Sequence, residues 1–190
     1  MDHSEQQRCT AFAGSRCIAT GELKDVALRV KAALEAGEQE PVLIFDDASS
    51  QLVEVDFRGT SAEVAGRLTV VEERRRPGRP KLGVVAREVT LLPRHWEWLN
   101  GQPGGASVAL RKLVEQARRV NEGADRARAA QESAYRFMTA MAGNECGYEG
   151  AIRALFARDQ ARLESMTESW PEGVRSHALK LAARALEDQA

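Results

Sequence analysis

Apolar and polar positions along the chain follow three successive rhythms, and the first runs from Cys9 to the late sixties. In CTAFAGSRCIATG, two short apolar runs flank Gly14-Ser15, with glycine at the first central position of a two-residue turn, so the pattern predicts a hairpin. In ELKDVALRVKAALEAG, Leu23, Val26, Ala27, Val30, Ala33 and Leu34 recur at helical spacing and Gly37 follows as a stop signal. PVLIFDD and QLVEVDFRG read as a second hairpin, in which Val53, Val55 and Phe57 alternate with Glu54 and Asp56 as on a strand with one face in water. TSAEVAGRLTVVEE closes the set with a helix from a Thr60 or Ser61 cap. The order ββαββα predicts a four-stranded, mainly antiparallel sheet with helices covering one face.

The rhythm changes in the middle third. The pattern predicts a strand from Val84 to Leu92, a short helix with Pro93 in its first turn, a break at Gly104-Gly105 and a second helix from a Ser107 cap. Val108, Leu110, Leu113, Val114 and Ala117 form an apolar stripe on that second helix, and Arg111, Lys112, Arg118 and Arg119 occupy the rest. Trp96 and Leu99 share a face of the short helix, which fits core packing. The last third is helical. ADRARAAQESAYRFMTAMAG places Ala127, Ala130, Ala134, Phe137, Met138 and Met141 on one side and ends at Gly143-Asn144. Two or three further helices follow, with Pro171 at a first turn, and alanine-rich helices pack closely into a bundle. The predicted fold class is α+β: an α/β unit over 1–72, a basic linker over 73–83, a strand-helix-helix element over 84–120 and a helical bundle over 121–190.

Composition changes this picture in one respect. Apolar residues at 43%, charged residues at 29% and a formal net charge of -1 describe an ordinary globular chain. That near-neutral total hides a division: residues 1–70 hold 7 Lys/Arg against 12 Asp/Glu, residues 71–119 hold 11 against 5, and residues 120–190 hold 9 against 11. A polyanion meets the local field within a Debye length, so the sequence offers its basic centre. The amino-terminal stretch shows no basic start followed by an apolar run, and no window is apolar enough for a membrane span, so the expected location is the cytoplasm. Cys9, Cys17 and Cys146 are an odd number without CxxC spacing, which suggests neither a disulfide framework nor a zinc site.

Candidate chemistry is sparse. Asp46, Asp47, Glu54 and Asp56 lack a partnered histidine or a glycine-shaped metal loop, and they read as solvent-face charges. His3, His95 and His177 stand apart in sequence. No nucleophile-base pairing is visible, so no enzyme and no cofactor are expected. The Phe137, Met138, Met141 stripe suits either a ligand pocket or a core, and most such stripes are core.

The basic peptide RRRPGRPKLG, Arg74 to Gly83, carries the strongest functional signal. Pro77, Gly78, Arg79, Pro80 and Lys81 resemble the core of an AT-hook, whose extended Gly-Arg-Pro center lies in a narrow, A·T-rich minor groove. Prolines hold such a backbone extended, glycine permits close approach, and arginine follows the negative potential of the groove. Arg74, Arg75, Arg76 and Lys81 would then sit on phosphates, while the same composition also suits a solvated linker. The strand-helix-helix order that follows resembles the ribbon-helix-helix family of bacterial DNA-binding proteins. That resemblance implies a homodimer, because a lone strand leaves backbone groups unpaired, and it implies a helix start aimed at a phosphate, here Gly105 and Ser107. The strand's candidate contacts are Arg87 and Thr90. Val85, Arg87, Val89 and Leu91 form its more apolar face, and Glu88 and Thr90 lie on the other.

Across nearly the whole chain, CTAFAG, PVLIFDD, GRPKLGVVAREVTLLPRHWEWLNGQPGGASVALRKLVEQARR, AYRFMTAMAGN and WPEGVRSHALKLA together resemble an uncharacterised bacterial family known only as domain of unknown function two-two-three-nine. It brings no activity with it. The expectation is a homodimeric cytoplasmic protein that binds duplex DNA, in its most specific form a transcriptional regulator. The alternative is a non-catalytic protein-interaction or ligand-sensing module.

Overall fold

The computed structural model describes residues 7–68 and 85–186. Its elements are β1 (Arg8–Ala13), β2 (Arg16–Glu22), α1 (Leu23–Glu35), β3 (Val42–Asp46), α2 (Ser61–Leu68), α3 (Pro93–Asn100), α4 (Gly105–Ala142), α5 (Tyr148–Ala157), α6 (Gln160–Met166) and α7 (Glu172–Leu186). The class is α+β, as the sequence predicts. The described residues form two compact units, one of 7–68 with 123–186 and one of 85–122. Segments expected as a sheet unit and as a helical bundle therefore share the first unit.

In that first unit the sheet is antiparallel with order β2-β1-β3. The central strand β1 is buried from Cys9 to Ala13, because its two faces meet two different cores. Cys9 and Ala11, with Ala19 and Ile44, pack against Val26 and Val30 of α1. Phe12, with Phe45 of β3, packs against Ala134, Phe137 and Met138 of α4 and Val174, Ala178 and Leu181 of α7. The sheet is thus a middle layer covered on both faces, where the sequence pattern predicted helices on one. The phenylalanine cluster is the reason: alternation on two strands sends Phe12 and Phe45 to the side away from α1.

The predicted fourth strand is replaced by a single bridge, Phe45 to Leu52. Beyond it Val53, Val55 and Phe57 remain half-buried against the α1 core, so the alternation read from the sequence is kept without a ladder. The Asp46–Ser50 turn sets this course. The Asp46 carboxylate accepts from the Ala48 and Ser49 amides at 3.1 and 2.8 Å and from the Ser49 hydroxyl at 2.7 Å. The chain then crosses to α1, where Lys31 Nζ donates to the Phe57 carbonyl at 3.2 Å and pairs with Glu35 at 2.9 Å.

Helix ends follow their local chemistry. Thr60 and Glu63 form a reciprocal cap at α2, with the Glu63 amide donating to Thr60 Oγ1 at 3.3 Å and the Thr60 amide to Glu63 Oε2 at 2.6 Å. In the last third, Asp159 caps α6 by accepting from the Arg162 amide at 3.0 Å. Trp170 closes the end of the bundle by donating from Nε1 to the Cys146 carbonyl at 2.9 Å.

α4 is one helix of 38 residues where the sequence suggested two, and it contributes to both units. The second unit is slight. It consists of residues 85–92, which form neither helix nor strand, α3 and α4 as far as Glu122, and its buried apolar side chains among the described residues are Leu99 and Ala109.

Candidate nucleic-acid interface

The candidate contacts fall into three groups along the chain. Arg75, Arg76, Arg79 and Lys81 lie outside the described residues. Arg87 and Thr90 lie on the stretch that precedes α3, which forms neither helix nor strand and whose residues 85–90 are all exposed. The strand expected from Val84 to Leu92 forms no ladder over 85–92 among the described residues. A ladder needs a second strand alongside, and alternation within one segment does not supply it.

Gly105 and Ser107 stand at the start of α4. The helix begins at Gly105, two residues ahead of the expected Ser107 cap, so Ser107 lies inside the first turn. The turn from α3 explains the shift. Gly104 and Gly105 both take positive φ, +88° and +74°, a conformation that side-chain-bearing residues rarely adopt. A Cβ on Gly104 would also approach the Val108 side chain to 3.1 Å. The Gly105 amide donates to the Gln102 carbonyl at 2.9 Å, which closes the turn. Trp96, assigned to the core by its spacing, is half-buried, Leu99 is buried and Trp98 is exposed.

The structure adds a group that the candidate contacts did not include. Residues 111–120 of α4 are all exposed, and Arg111, Lys112, Glu115, Gln116, Arg119 and Val120 share an open side of the helix. Arg118 pairs with Glu115 at 3.1 Å, and Arg111 Nε donates to the Ser107 carbonyl at 3.2 Å. Four cations against one carboxylate leave this stretch of helix net positive. From Arg111 to Arg119 the helix rises about 12 Å at 1.5 Å per residue. One DNA strand carries a phosphate roughly every 3.4 Å of axis, so the ridge can face several charges at once. The signal was present in the sequence as basic pairs seven residues apart, but exposure had to be seen.

Elsewhere the polar groups serve the fold. Thr10 Oγ1 donates to Asp47 Oδ1 at 2.7 Å, and hydrogen bonds from the Arg58 side chain hold the Asp56 carboxyl well below the usual carboxylate range. Burial pushes the Cys9 thiol up to about 11, with the carboxylates of Asp46 and Asp47 acting in the same direction, so it stays a thiol. His177 is buried against the rings of Phe137 and Phe12, with centroids 4.6 and 5.5 Å away. Burial pushes its imidazole down to about 4, against the opposing pull of Asp47 and with Lys180 and Arg184 adding to the fall. Among the described residues no group of three or more His, Cys, Asp and Glu side chains could hold a metal ion. No helix among them is long and apolar enough to cross a membrane.

Residues 8–182 match a family described as an uncharacterized protein conserved in bacteria, DUF2239. The chain belongs to DUF2239. No curated protein and no solved structure matches it. The DUF2239 match covers both units, including the unit with the basic ridge, and it carries no activity to either.

Proposed function

We propose that this DUF2239 chain is a homodimeric DNA-binding protein of the bacterial cytoplasm, with a role in transcriptional regulation. The basic stretch from Arg75 to Lys81 and the unit of residues 85–122 meet the duplex. The observation that carries the reading is the exposed cationic ridge of α4, Arg111, Lys112, Arg118 and Arg119, downstream of the hook-like peptide in the same chain. Arg79 enters the minor groove, Arg75, Arg76 and Lys81 hold phosphates, and Arg87 and Thr90 contact the duplex. The first-turn amides that follow Gly105, that of Ser107 among them, lie at the positive end of a long helix and favour a further phosphate.

Affinity for a duplex measured by fluorescence anisotropy across a salt series tests this reading. The wild-type protein binds with a steep salt dependence. Each lost phosphate contact flattens the log-log slope by about 0.9, so Lys81→Ala flattens it by about 1, and adding Arg79→Ala weakens binding further. Absence of binding at low salt overturns the proposal. In that event the exposed apolar side chains of the same unit, Trp98 and Val120 among them, favour a protein-interaction or ligand-sensing module.

A further inference from the structure

We infer that residues 111–120 of α4 enter the major groove of duplex DNA as a recognition helix, with Gln116 reading an adenine and Val120 a thymine methyl group. These residues span nearly three turns and all of them are exposed, so the stretch is bare around its whole circumference. A helix that docks on a protein surface hides one stripe there and keeps the rest in water. The major groove, about 12 Å wide, instead takes in a helix of about 10–12 Å diameter and meets it from several sides at once. The second unit leaves room for this: Ala109 is its last buried residue along α4, and Gln116 lies about 10 Å beyond it.

The chemistry around the helix fits that occupant. Lys112, Arg119 and Val120 stand four residues before, three after and four after Gln116, which places all four side chains on one face. By the helical repeat, Lys112 and Arg119 lie on one side of Gln116 and Val120 on the other, with Arg111 and Arg118 further round behind the cations. The four cations thus turn toward the phosphates of one strand while the amide and the methyl groups turn toward base edges. The carboxylate of the stretch, Glu115, pairs with Arg118 at 3.1 Å, which lessens its repulsion of phosphate. Asn121 donates its amide to the Ala117 carbonyl at 2.8 Å, whereas no hydrogen bond among the described residues engages the amide of Gln116. A carboxamide offers one donor and one acceptor side by side, which matches N7 and N6 of adenine and mismatches the two acceptors of guanine. Val120 follows about 6 Å along the axis, nearly two base-pair spacings, and presents only methyl groups. Base readout by α4 rests on the DNA-binding reading and deepens it: the cations supply affinity, and Gln116 and Val120 supply sequence preference.

Selection by the full chain from a pool of randomised duplexes, followed by anisotropy on the selected duplex, tests it. Wild-type protein enriches a motif with an adenine and, within about two base pairs, a thymine. Exchanging that A·T pair for G·C weakens wild-type binding by about tenfold or more, whereas Gln116→Ala binds both duplexes alike and keeps the wild-type salt slope. Replacing the thymine by deoxyuridine removes only its major-groove methyl group, so the step is blind to a peptide in the minor groove. It weakens wild-type binding and leaves Val120→Ala unmoved. Both variants alter exposed side chains and retain the helical circular dichroism of wild type. A Gln116→Ala chain that keeps the wild-type preference at every position overturns the readout, and equal binding of thymine and deoxyuridine duplexes by wild type removes Val120 from it. A wild-type chain that binds duplexes but enriches no sequence overturns the readout and leaves the DNA-binding reading standing. One that binds no duplex at low salt overturns both.

Discussion

The two units differ in where they keep their apolar side chains. Of the buried apolar residues among those described, 26 belong to the unit of 7–68 with 123–186, and two, Leu99 and Ala109, belong to 85–122. The exposed large ones run the other way. Val85, Val89, Leu92, Trp98, Leu113, Val114 and Val120 lie in the smaller unit, against Leu34, Leu52, Tyr135 and Phe156 in the larger. One unit closes its core with its own chain. The other presents apolar surface that a partner would cover, and its cations lie on the same helix. Stability should therefore reside in the first unit and association in the second.

The largest effect that tests this contrast comes from Phe137→Ala, which empties the centre of the aromatic cluster. Phe137 is wholly buried and its ring lies 5.3 Å from Phe12 and 5.2 Å from Phe45. Chemical denaturation should show a loss of about 3–5 kcal/mol. Leu113→Ala, at a side chain that is 44% exposed, should cost less than about 1 kcal/mol in dilute protein. Equal losses in dilute protein would erase the distinction.

A second effect is pH dependence. The folded chain holds His177 neutral down to about 4, while the unfolded chain takes up the proton near 6.5. Protonation thus favours unfolding. Stability is unaffected above about pH 6.5 and falls between there and about 4, by up to roughly 3 kcal/mol. His177→Phe, at a site already lined by phenylalanine rings, should flatten the denaturation midpoint over that interval. An unchanged acid limb would show that other groups set it.

The smallest effect belongs to the surface charges of the second unit. Arg118 and Glu115 are more than half exposed, so Arg118→Ala should move stability by no more than about 0.5 kcal/mol. Under the proposed function its influence falls instead on the salt dependence of duplex binding. A larger stability change would mean that the ridge is part of the fold.

Much of the fold was legible because local chemistry announced it. Gly14-Ser15 forms the turn between β1 and β2, the apolar spacing from Val26 to Val30 packs α1, and Pro93 opens α3 at its first turn. The candidate site was less legible. Gly104-Gly105 gave away the turn before α4, but Ser107 looked like a cap and lies inside the helix, because two glycines with positive φ had already started it. The strand expected through Arg87 and Thr90 illustrates a different limit: alternation specifies an extended backbone, whereas a ladder requires a neighbour that the local sequence does not name.

By itself, the sequence determined the β1-β2 hairpin, α1, the starts of α2 and α3 and the uneven placement of charge, since each depends on residues within a few positions of one another. Tertiary structure alone decided that the helices of the last third cover the second face of the amino-terminal sheet, because Phe12 and Phe45 meet Phe137 across about 90 to 125 residues of chain. It also decided which stretch of α4 is buried. Residues 111–120 are all exposed, whereas Ala134, Phe137 and Met138 are buried in the core that holds Phe12 and Phe45.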